Sequence, residues 1–354
     1  MKRRVAILGA TGIVGQRFIS LLHNHPWFEI ELLVSSDKSS GKIYGETVKW
    51  VIEHHLPSSI AELTLHPLNP ELIIKEDIDV VFTALPTEVA MQIEAELAKH
   101  GIVVVSNSSN MRMEPDIPLI VPEINAEHID IINYQQKKRA WEGFIVKIPN
   151  CTTIILSLSI KPLVDEFGVE RVVASSMQAV SGAGLTGVPS VMILDNLIPY
   201  IEGEEEKVQS ESLKILGELS PGGIQLNHDL KVTASCHRVP VLDGHTIAVF
   251  AELKEKPTIH DIIKTLEEFR SNKIKNLGLP TAPAKPIVVR KEPDRPQSRL
   301  DRLEGKGMSV VVGRLREDKA LGGVKYVVLG HNTIRGAAGT GVLIAELLVA
   351  KNII

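Results

Sequence analysis

VAILGATGIVG, residues Val5 to Gly15, decides the fold. Val5 to Leu8 is a short apolar run that reaches glycine at Gly9, which reads as a buried strand. Ile13, Phe18, Leu21 and Leu22 then recur at helical spacing up to His23. The turn between them, Gly9-Ala10-Thr11-Gly12-Ile13-Val14-Gly15, has a glycine every third residue. Gly9 permits a tight turn, Gly12 a close approach of backbone to a pyrophosphate at the helix N-terminus, and Gly15 close helix–sheet packing. A glycine pattern alone is weak. One that ends the first strand and opens the first helix marks a dinucleotide-binding unit.

Outward from that turn the alternation continues. Ile30–Val34, Asp79–Leu85 and Ile102–Ser106 are further apolar strands, and Glu88–His100 is an amphipathic helix. Strands apolar on both faces, alternating with helices, predict a parallel sheet covered on both sides up to about residue 150. Beyond it, strands at Arg171–Val180, Lys231–Val239, Thr246–Leu253, Met308–Leu315 and Lys325–Leu329 alternate apolar with polar residues. Helices at Glu205–Leu216 and Ile259–Asn272 separate some of them. That rhythm predicts an α+β unit, a mostly antiparallel sheet with helices on one face. Leu279–Arg299 carries five prolines and reads as a long loop, and Ile334–Ala350 as one apolar helix. The fold class is α/β, a Rossmann-type domain followed by an α+β domain, and 354 residues suit two such cores.

Composition excludes several classes. Lys plus Arg is 39 against 43 Asp plus Glu, a net charge of −4, and aromatic residues are 4%. That balance offers no footprint for nucleic acid or an anionic membrane. No apolar run is long enough to span a bilayer, and the basic start Met1-Lys2-Arg3-Arg4 is not followed by a signal-peptide pattern. Cys151 and Cys236 are the two cysteines, with no metal-ligand spacing, so no metal site and a reducing, cytoplasmic setting are expected.

Pro149-Asn150-Cys151-Thr152-Thr153 precedes an apolar helical stretch. It places Cys151 at a helix N-terminus, where the partial positive charge favours thiolate. Asn150 and nearby N–H groups are candidates to stabilise an oxyanion. Cys236 lies within a strand-like run and reads as inert. Arg238-Val-Pro-Val-Leu-Asp-Gly-His245 reads as a hairpin bent at Pro240, with Arg238, Leu242 and His245 on one face. A guanidinium for a carboxylate and an imidazole for a proton are what thiol-dependent hydride chemistry requires. Glu204 and Lys207 neighbour each other at a helix start. Arg112 follows a strand at its C-terminal end, where ligands bind in open α/β sheets. After the second strand, Ser35-Ser36-Asp37-Lys38-Ser39-Ser40 places serine where a ribose-binding acid is usual. Hydroxyls and lysines there favour NADP over NAD.

In order along the chain, GATGIVG, SNSSNMR, PNCTT, QAVSGAG, GEEEK, HRVPVLDGH and NTIRGAAG resemble aspartate-semialdehyde dehydrogenase, its archaeal and fungal branch in particular. The resemblance implies a dinucleotide-binding domain (1–150 and 333–354, the last helix returning to it). It also implies a glyceraldehyde-3-phosphate-dehydrogenase-like catalytic and dimerisation domain (151–332), in a homodimer or homotetramer. It implies that Cys151 is acylated, that His245 is general acid/base, and that Asn150 and Gln178 position or stabilise the thioester. Arg238 would hold the substrate carboxylate and Glu204 its ammonium; Arg112 and Lys207 would hold phosphate. Gly9, Thr11, Gly12, Ile13, Val14, Ser36, Ser39, Ser181, Gly182 and Asn332 would contact NADP. The reaction implied is reduction of L-4-aspartyl phosphate to aspartate semialdehyde, in lysine, threonine, methionine and isoleucine biosynthesis. Malonyl-CoA and succinyl-CoA reductases share the scaffold, but Asn150 and the Glu204–Lys207 pair favour the amino-acid substrate. N-acetyl-γ-glutamyl-phosphate reductase is a more distant relative with a different nucleophile context. A catalytically silent dinucleotide sensor would keep the glycine turn and have no use for Cys151, Asn150 and His245.

Overall fold

The structure, a computed structural model, describes residues 2–271 and 273–354. Asn272, the expected end of one helix, lies outside them. The first sheet contains β1 (Arg3–Leu8), β2 (Phe28–Ser35), β3 (Leu65–Pro67), β4 (Val80–Thr83), β5 (Val103–Ser106) and β6 (Phe144–Lys147). Their order is β3-β2-β1-β4-β5-β6 and every pairing is parallel. Strand order reverses between β1 and β4, which opens a crevice at their C-terminal ends. Helix α1 (Ile13–Leu22) follows β1, and α2 (Thr87–Lys99) follows β4. β1 and β4 are almost entirely buried, which is why they read as unbroken apolar runs. The edge strand β3 escapes a periodicity reading because it is three residues long.

Helix α3 (Cys151–Phe167) leads into the second sheet: β7 (Val169–Gln178), β10 (Lys231–Arg238), β11 (His245–Leu253), β12 (Ile287–Val289), β13 (Val310–Asp318) and β14 (Gly323–Gly330). Helices α4 (Glu204–Ile215) and α5 (Ile259–Glu268) belong to it, and β8 (Glu218–Ser220) and β9 (Gly223–Gln225) form a separate ribbon. The order is β10-β7-β11-β14-β13-β12. The three central pairings are antiparallel, but both edge pairings, β10 with β7 and β13 with β12, are parallel. The sheet is therefore mostly antiparallel, as expected, with a parallel strand added at each edge. The parallel edges arise because α4 carries the chain from β7 across to β10, and because β12 sits inside the proline-rich stretch expected to be a loop.

The hairpin expected between Arg238 and His245 does not exist. β10 and β11 are not neighbours; β7 lies between them. Residues after Arg238 cross the end of β7, with Val239 N–H donating to Gln178 O at 3.0 Å and Val180 N–H to Val241 O at 2.8 Å. Leu242, placed on the same face as Arg238 and His245 in the sequence reading, points outward and is 64% exposed.

The last segment is two elements rather than one: a π-helical turn at Ile334–Ala338, then α6 (Gly339–Ala350). It returns to the first sheet's side. An added Cβ on Gly341 would lie 2.9 Å from the Phe18 ring of α1. Arg335, fully buried, forms a two-pronged ion pair with Glu123 at 2.6 and 2.7 Å. No helix among the described residues is long and apolar enough to cross a membrane.

Candidate active site

The crevice at β1 and β4 opens into a cavity of about 480 Å³. Gly12, Ile13 and Val14 line one end and Cys151, Gln178 and Arg238 the other. The glycine turn is built as its spacing predicts. Gly9 has φ +81°, and a Cβ there would meet Ala84 O at 2.6 Å; a Cβ on Gly15 would meet Gly9 O at 2.2 Å. α1 starts at an uncapped Gly12 with no acidic residue in its first turn. Its N-terminal dipole therefore faces the cavity unopposed, which suits a pyrophosphate. Ser35 is buried at the end of β2, and Ser36 and Ser39 lie in the turn beyond it, outside the cavity lining.

Cys151 opens α3, and Asn150 is its N-cap. Asn150 Oδ1 accepts from Thr152 N–H at 2.9 Å and Thr153 N–H at 3.1 Å, while Nδ2 donates to Glu204 Oε1 at 2.9 Å. The Asn150 amide is thus engaged in capping and in holding Glu204. The polar side chain at an N-cap answers the helix's own free N–H groups first. Cys151 Sγ lies 3.2 Å from His245 Nε2. Burial, followed by the nearby Glu204 charge, pushes the Cys151 thiol up to about 12, against the lowering by Thr152 hydrogen bonds and the Arg238 charge. Cys236 is buried in β10 with its thiol pushed up to about 11, mainly by burial.

His245 is fully buried. Burial, then the Arg238 and His331 charges, hold its imidazole well below its usual range. Its Nδ1 accepts from Ala179 N–H at 3.0 Å, and Ala179 O accepts from Arg238 Nη1 at 2.7 Å. One residue at the end of β7 thereby anchors both side chains. Gly182 closes over them: a Cβ there would come within 2.8 Å of Arg238 Nη1 and 3.3 Å of the His245 ring. Gln178 pairs in register with Arg238 and donates to Ser176 Oγ at 3.1 Å. Asn332 accepts from Gly244 N–H and donates to Ser181 Oγ, both at 2.8 Å, which fixes the turn before His245.

Glu204 and Lys207 line the cavity from α4, as does Arg112 from the loop after β5. Arg112 is partly engaged within the protein, with Nε left unpartnered among the described residues. Its Nη1 donates to Glu211 Oε1 at 2.9 Å and its Nη2 to Asn107 O at 2.7 Å. Glu211 and Lys214 are absent from the sequence reading. Glu211 also accepts the Asn150 N–H at 2.6 Å, so one carboxylate joins the Arg112 loop to the start of α3. Lys214, fully buried, donates to the carbonyls of Arg112, Glu114 and Ile117 at 2.6–2.7 Å. The signal was in the spacing: 204, 207, 211 and 214 share one face of α4.

A phosphate-binding turn facing a cysteine–histidine pair across a domain boundary defines a class, the two-domain dinucleotide-binding proteins with a thiol in the cleft. Residues 4–132 match the semialdehyde dehydrogenase NAD binding domain and residues 160–335 the semialdehyde dehydrogenase dimerisation domain. Over the whole of both chains the protein is 50% identical to an aspartate-semialdehyde dehydrogenase of Archaeoglobus fulgidus. The crystal structure of aspartate semialdehyde dehydrogenase with NADP from Candida albicans superposes with a TM-score of 0.91 at 43% identity, covering 99% of this chain and 100% of that one. A malonyl CoA reductase (NADP) of Metallosphaera sedula is 38% identical over 99% of this chain and 98% of its own. The chain belongs to the aspartate-semialdehyde dehydrogenase family.

Proposed function

We propose that the protein is an NADP-dependent, phosphorylating aspartate-semialdehyde dehydrogenase. It would reduce L-4-aspartyl phosphate to L-aspartate 4-semialdehyde, reversibly, through a thioester on Cys151. The observation that carries this reading is the 3.2 Å approach of Cys151 Sγ to His245 Nε2, on the wall of the cavity that the glycine turn closes. The residues around that cavity fit NADP: the bare N-terminus of α1, no carboxylate at position 35, and Lys38 and Lys42 beyond β2. When bound, the reduced cofactor supplies hydride to the acyl carbon. Cys151 attacks the acyl phosphate and phosphate leaves toward Lys207 and Arg112. Arg238, its fork fixed by Ala179, holds the substrate carboxylate, and Glu204 the ammonium. Gln178 borders the acyl group, and Ser181, Gly182 and Asn332 border the cofactor.

The same reading divides the chain into 1–150 with 333–354 around the cofactor and 151–332 around the thiol. It also makes the protein a homodimer or homotetramer. Along β11 the inward residues are buried while Thr246, Ala248 and Phe250 on the other face are only half-buried, a surface suited to a second copy. The cytoplasm and the aspartate-derived amino-acid pathways are its proposed setting.

Turnover followed at the nicotinamide absorbance tests the substrate. The proposal requires aspartate semialdehyde plus phosphate to reduce NADP well above NAD, and faster than malonyl-CoA or succinyl-CoA oxidise NADPH. Preference for a CoA thioester would select the reductase reading that the Metallosphaera relative raises; preference for NAD would show that Asp37 reaches the ribose.

A further inference from the structure

We infer that Glu211 is a positioning residue for the phosphate half of the reaction: it fixes where the guanidinium of Arg112 stands relative to the start of the helix that carries Cys151. The inference deepens the thioester reading and rests on it for its chemistry. Glu211 lies on α4 and is 2% exposed. One carboxylate oxygen accepts from Arg112 Nη1 at 2.9 Å, and the other accepts the Asn150 N–H at 2.6 Å. Asn150 immediately precedes the nucleophile and caps its helix. One planar carboxylate therefore spans the two parts between which the acyl group has to pass.

The surroundings separate this tie from the general support of the loop. Arg112 Nη2 donates to Asn107 O, on its own loop, and Nε has no partner among the described residues. Among those residues, Glu211 is thus the guanidinium's one hydrogen-bond partner outside that loop. Lys214, one turn further along α4, holds the carbonyls of Arg112, Glu114 and Ile117. The backbone hangs on Lys214 and the guanidinium on Glu211, so loss of the Glu211 charge frees the side chain without freeing the loop. Lys207, one turn before Glu211 on the same face, lines the same cavity as Arg112. Both groups that Glu211 binds are donors. A glutamine has one carbonyl oxygen, and its N–H groups would face one of the two donors. An aspartate keeps the charge but is a methylene too short to span both.

The step at stake is exchange of the acyl group between sulfur and phosphate. In the oxidative direction hydrogen phosphate attacks the thioester carbon. The oxygen–carbon bond forms, the carbon–sulfur bond breaks with its electron pair on Cys151, and the phosphate proton returns to sulfur through His245, whose Nε2 is 3.2 Å away. The step before it, which forms the thioester and reduces NADP, involves no phosphate. A residue that sets the distance from anion to nucleophile matters to the later step and little to the earlier one.

Rapid mixing of the full-length enzyme with aspartate semialdehyde and NADP, without phosphate, reads the earlier step as a stoichiometric burst of NADPH. Glu211→Gln should give that burst within about threefold of the unmodified rate, while the KM for inorganic phosphate rises at least about tenfold. A burst slowed as much as steady-state turnover, or an unchanged phosphate KM, overturns the inference. Arg112→Met then shows whether Glu211 acts through the guanidinium. The phosphate KM of the double variant should equal that of Arg112→Met alone, and multiplied effects overturn the inference. Calorimetric NADP affinity, expected to be unchanged, checks that each variant is folded. Should the glutamine variant not fold, Glu211→Asp is read in the same assay with the same expectation. Failure of the thioester reading looks different: the unmodified enzyme itself would give no NADPH burst without phosphate.

Discussion

Cys151 sits where two influences oppose each other. The α3 N-terminus and its Thr152 hydrogen bonds favour thiolate, but burial and the Glu204 carboxylate outweigh them and push the thiol up to about 12. Alkylation of Cys151 by iodoacetamide in the ligand-free protein should therefore keep accelerating with pH beyond about 9, past the ordinary thiol range. A rate that levels off near neutrality would show a thiolate already formed. Cys151→Ser should abolish turnover and leave NADP affinity unchanged by calorimetry, whereas Cys236→Ser should be kinetically mild. Glu204→Gln should cost about 1.5–3 kcal/mol in kcat/KM for aspartate semialdehyde, the worth of a charged hydrogen bond. An unchanged kcat/KM would remove Glu204 from substrate binding. At this scale the sequence was legible for identity more than for aim. Cys151, His245 and Arg238 announce themselves by context, and they do meet at one cavity or its wall. Asn150 was visible too, and its capping of α3 is local, but that its amide also holds Glu204 depends on α4 arriving from 54 residues later. Glu211 and Lys214 stayed hidden because an acid and a base in a helix's interior look the same whether they face water or a neighbouring loop.

Among the elements, the short π-turn before α6 and the start of α3 are pressed together. An added Cβ on Gly336 would lie 2.6 Å from Cys151 Cβ, with the cysteine Cα 3.1 Å away. Gly336→Ala should therefore move the nucleophile, lowering kcat at least about tenfold with little change in the far-ultraviolet circular dichroism. Full activity in that variant would show that the two elements separate freely. Asn150→Ala removes the cap of α3 and should destabilise the protein by about 1 kcal/mol in denaturant unfolding, in addition to its kinetic effect. The strand–turn–helix of Val5 to Leu22 was readable because its signals are local: apolar run, glycine turn, helical period. The Arg238–His245 arrangement was misread as a hairpin for the converse reason. Nothing within those eight residues records that β7, from much earlier in the chain, inserts between β10 and β11. The parallel pairing of β12, a three-residue strand among prolines, is likewise fixed by a distant partner rather than by its own pattern.

Across the whole molecule, charged side chains tie the returning C-terminal segment to the rest of the first domain. Arg335 and Glu123 form a fully enclosed pair, and Arg17 of α1 reaches Glu53 at 2.5 Å and Thr333 Oγ1 at 3.0 Å. Removing one partner leaves the other charge buried alone, so Arg335→Ala should cost about 3–5 kcal/mol of stability. Acid should act through the carboxylates. The Arg17 hydrogen bonds bring Glu53 down from 4.5 to about 2. Burial opposes ionisation of Asp116, but hydrogen bonds from Arg139 and Lys138 outweigh it and bring it from 3.8 to about 2. Both groups are depressed in the folded state, so the stability they add is present above the unfolded values and lost as pH falls toward 2. Thermal melts between about pH 5 and about pH 2 should show that decline, and a flat profile would contradict it. The two-domain plan was legible, since the period of the pattern changes where the chain passes from one sheet to the other; how tightly ion pairs hold the returning C-terminal segment was not. The central claim, a thioester on Cys151, is tested most directly by intact-protein and peptide mass spectrometry after mixing the enzyme with aspartate semialdehyde and NADP without phosphate. The account predicts an aspartyl adduct on the Cys151 peptide that disappears when phosphate is added. Turnover with phosphate but no adduct on Cys151, or an adduct that phosphate does not discharge, would contradict it.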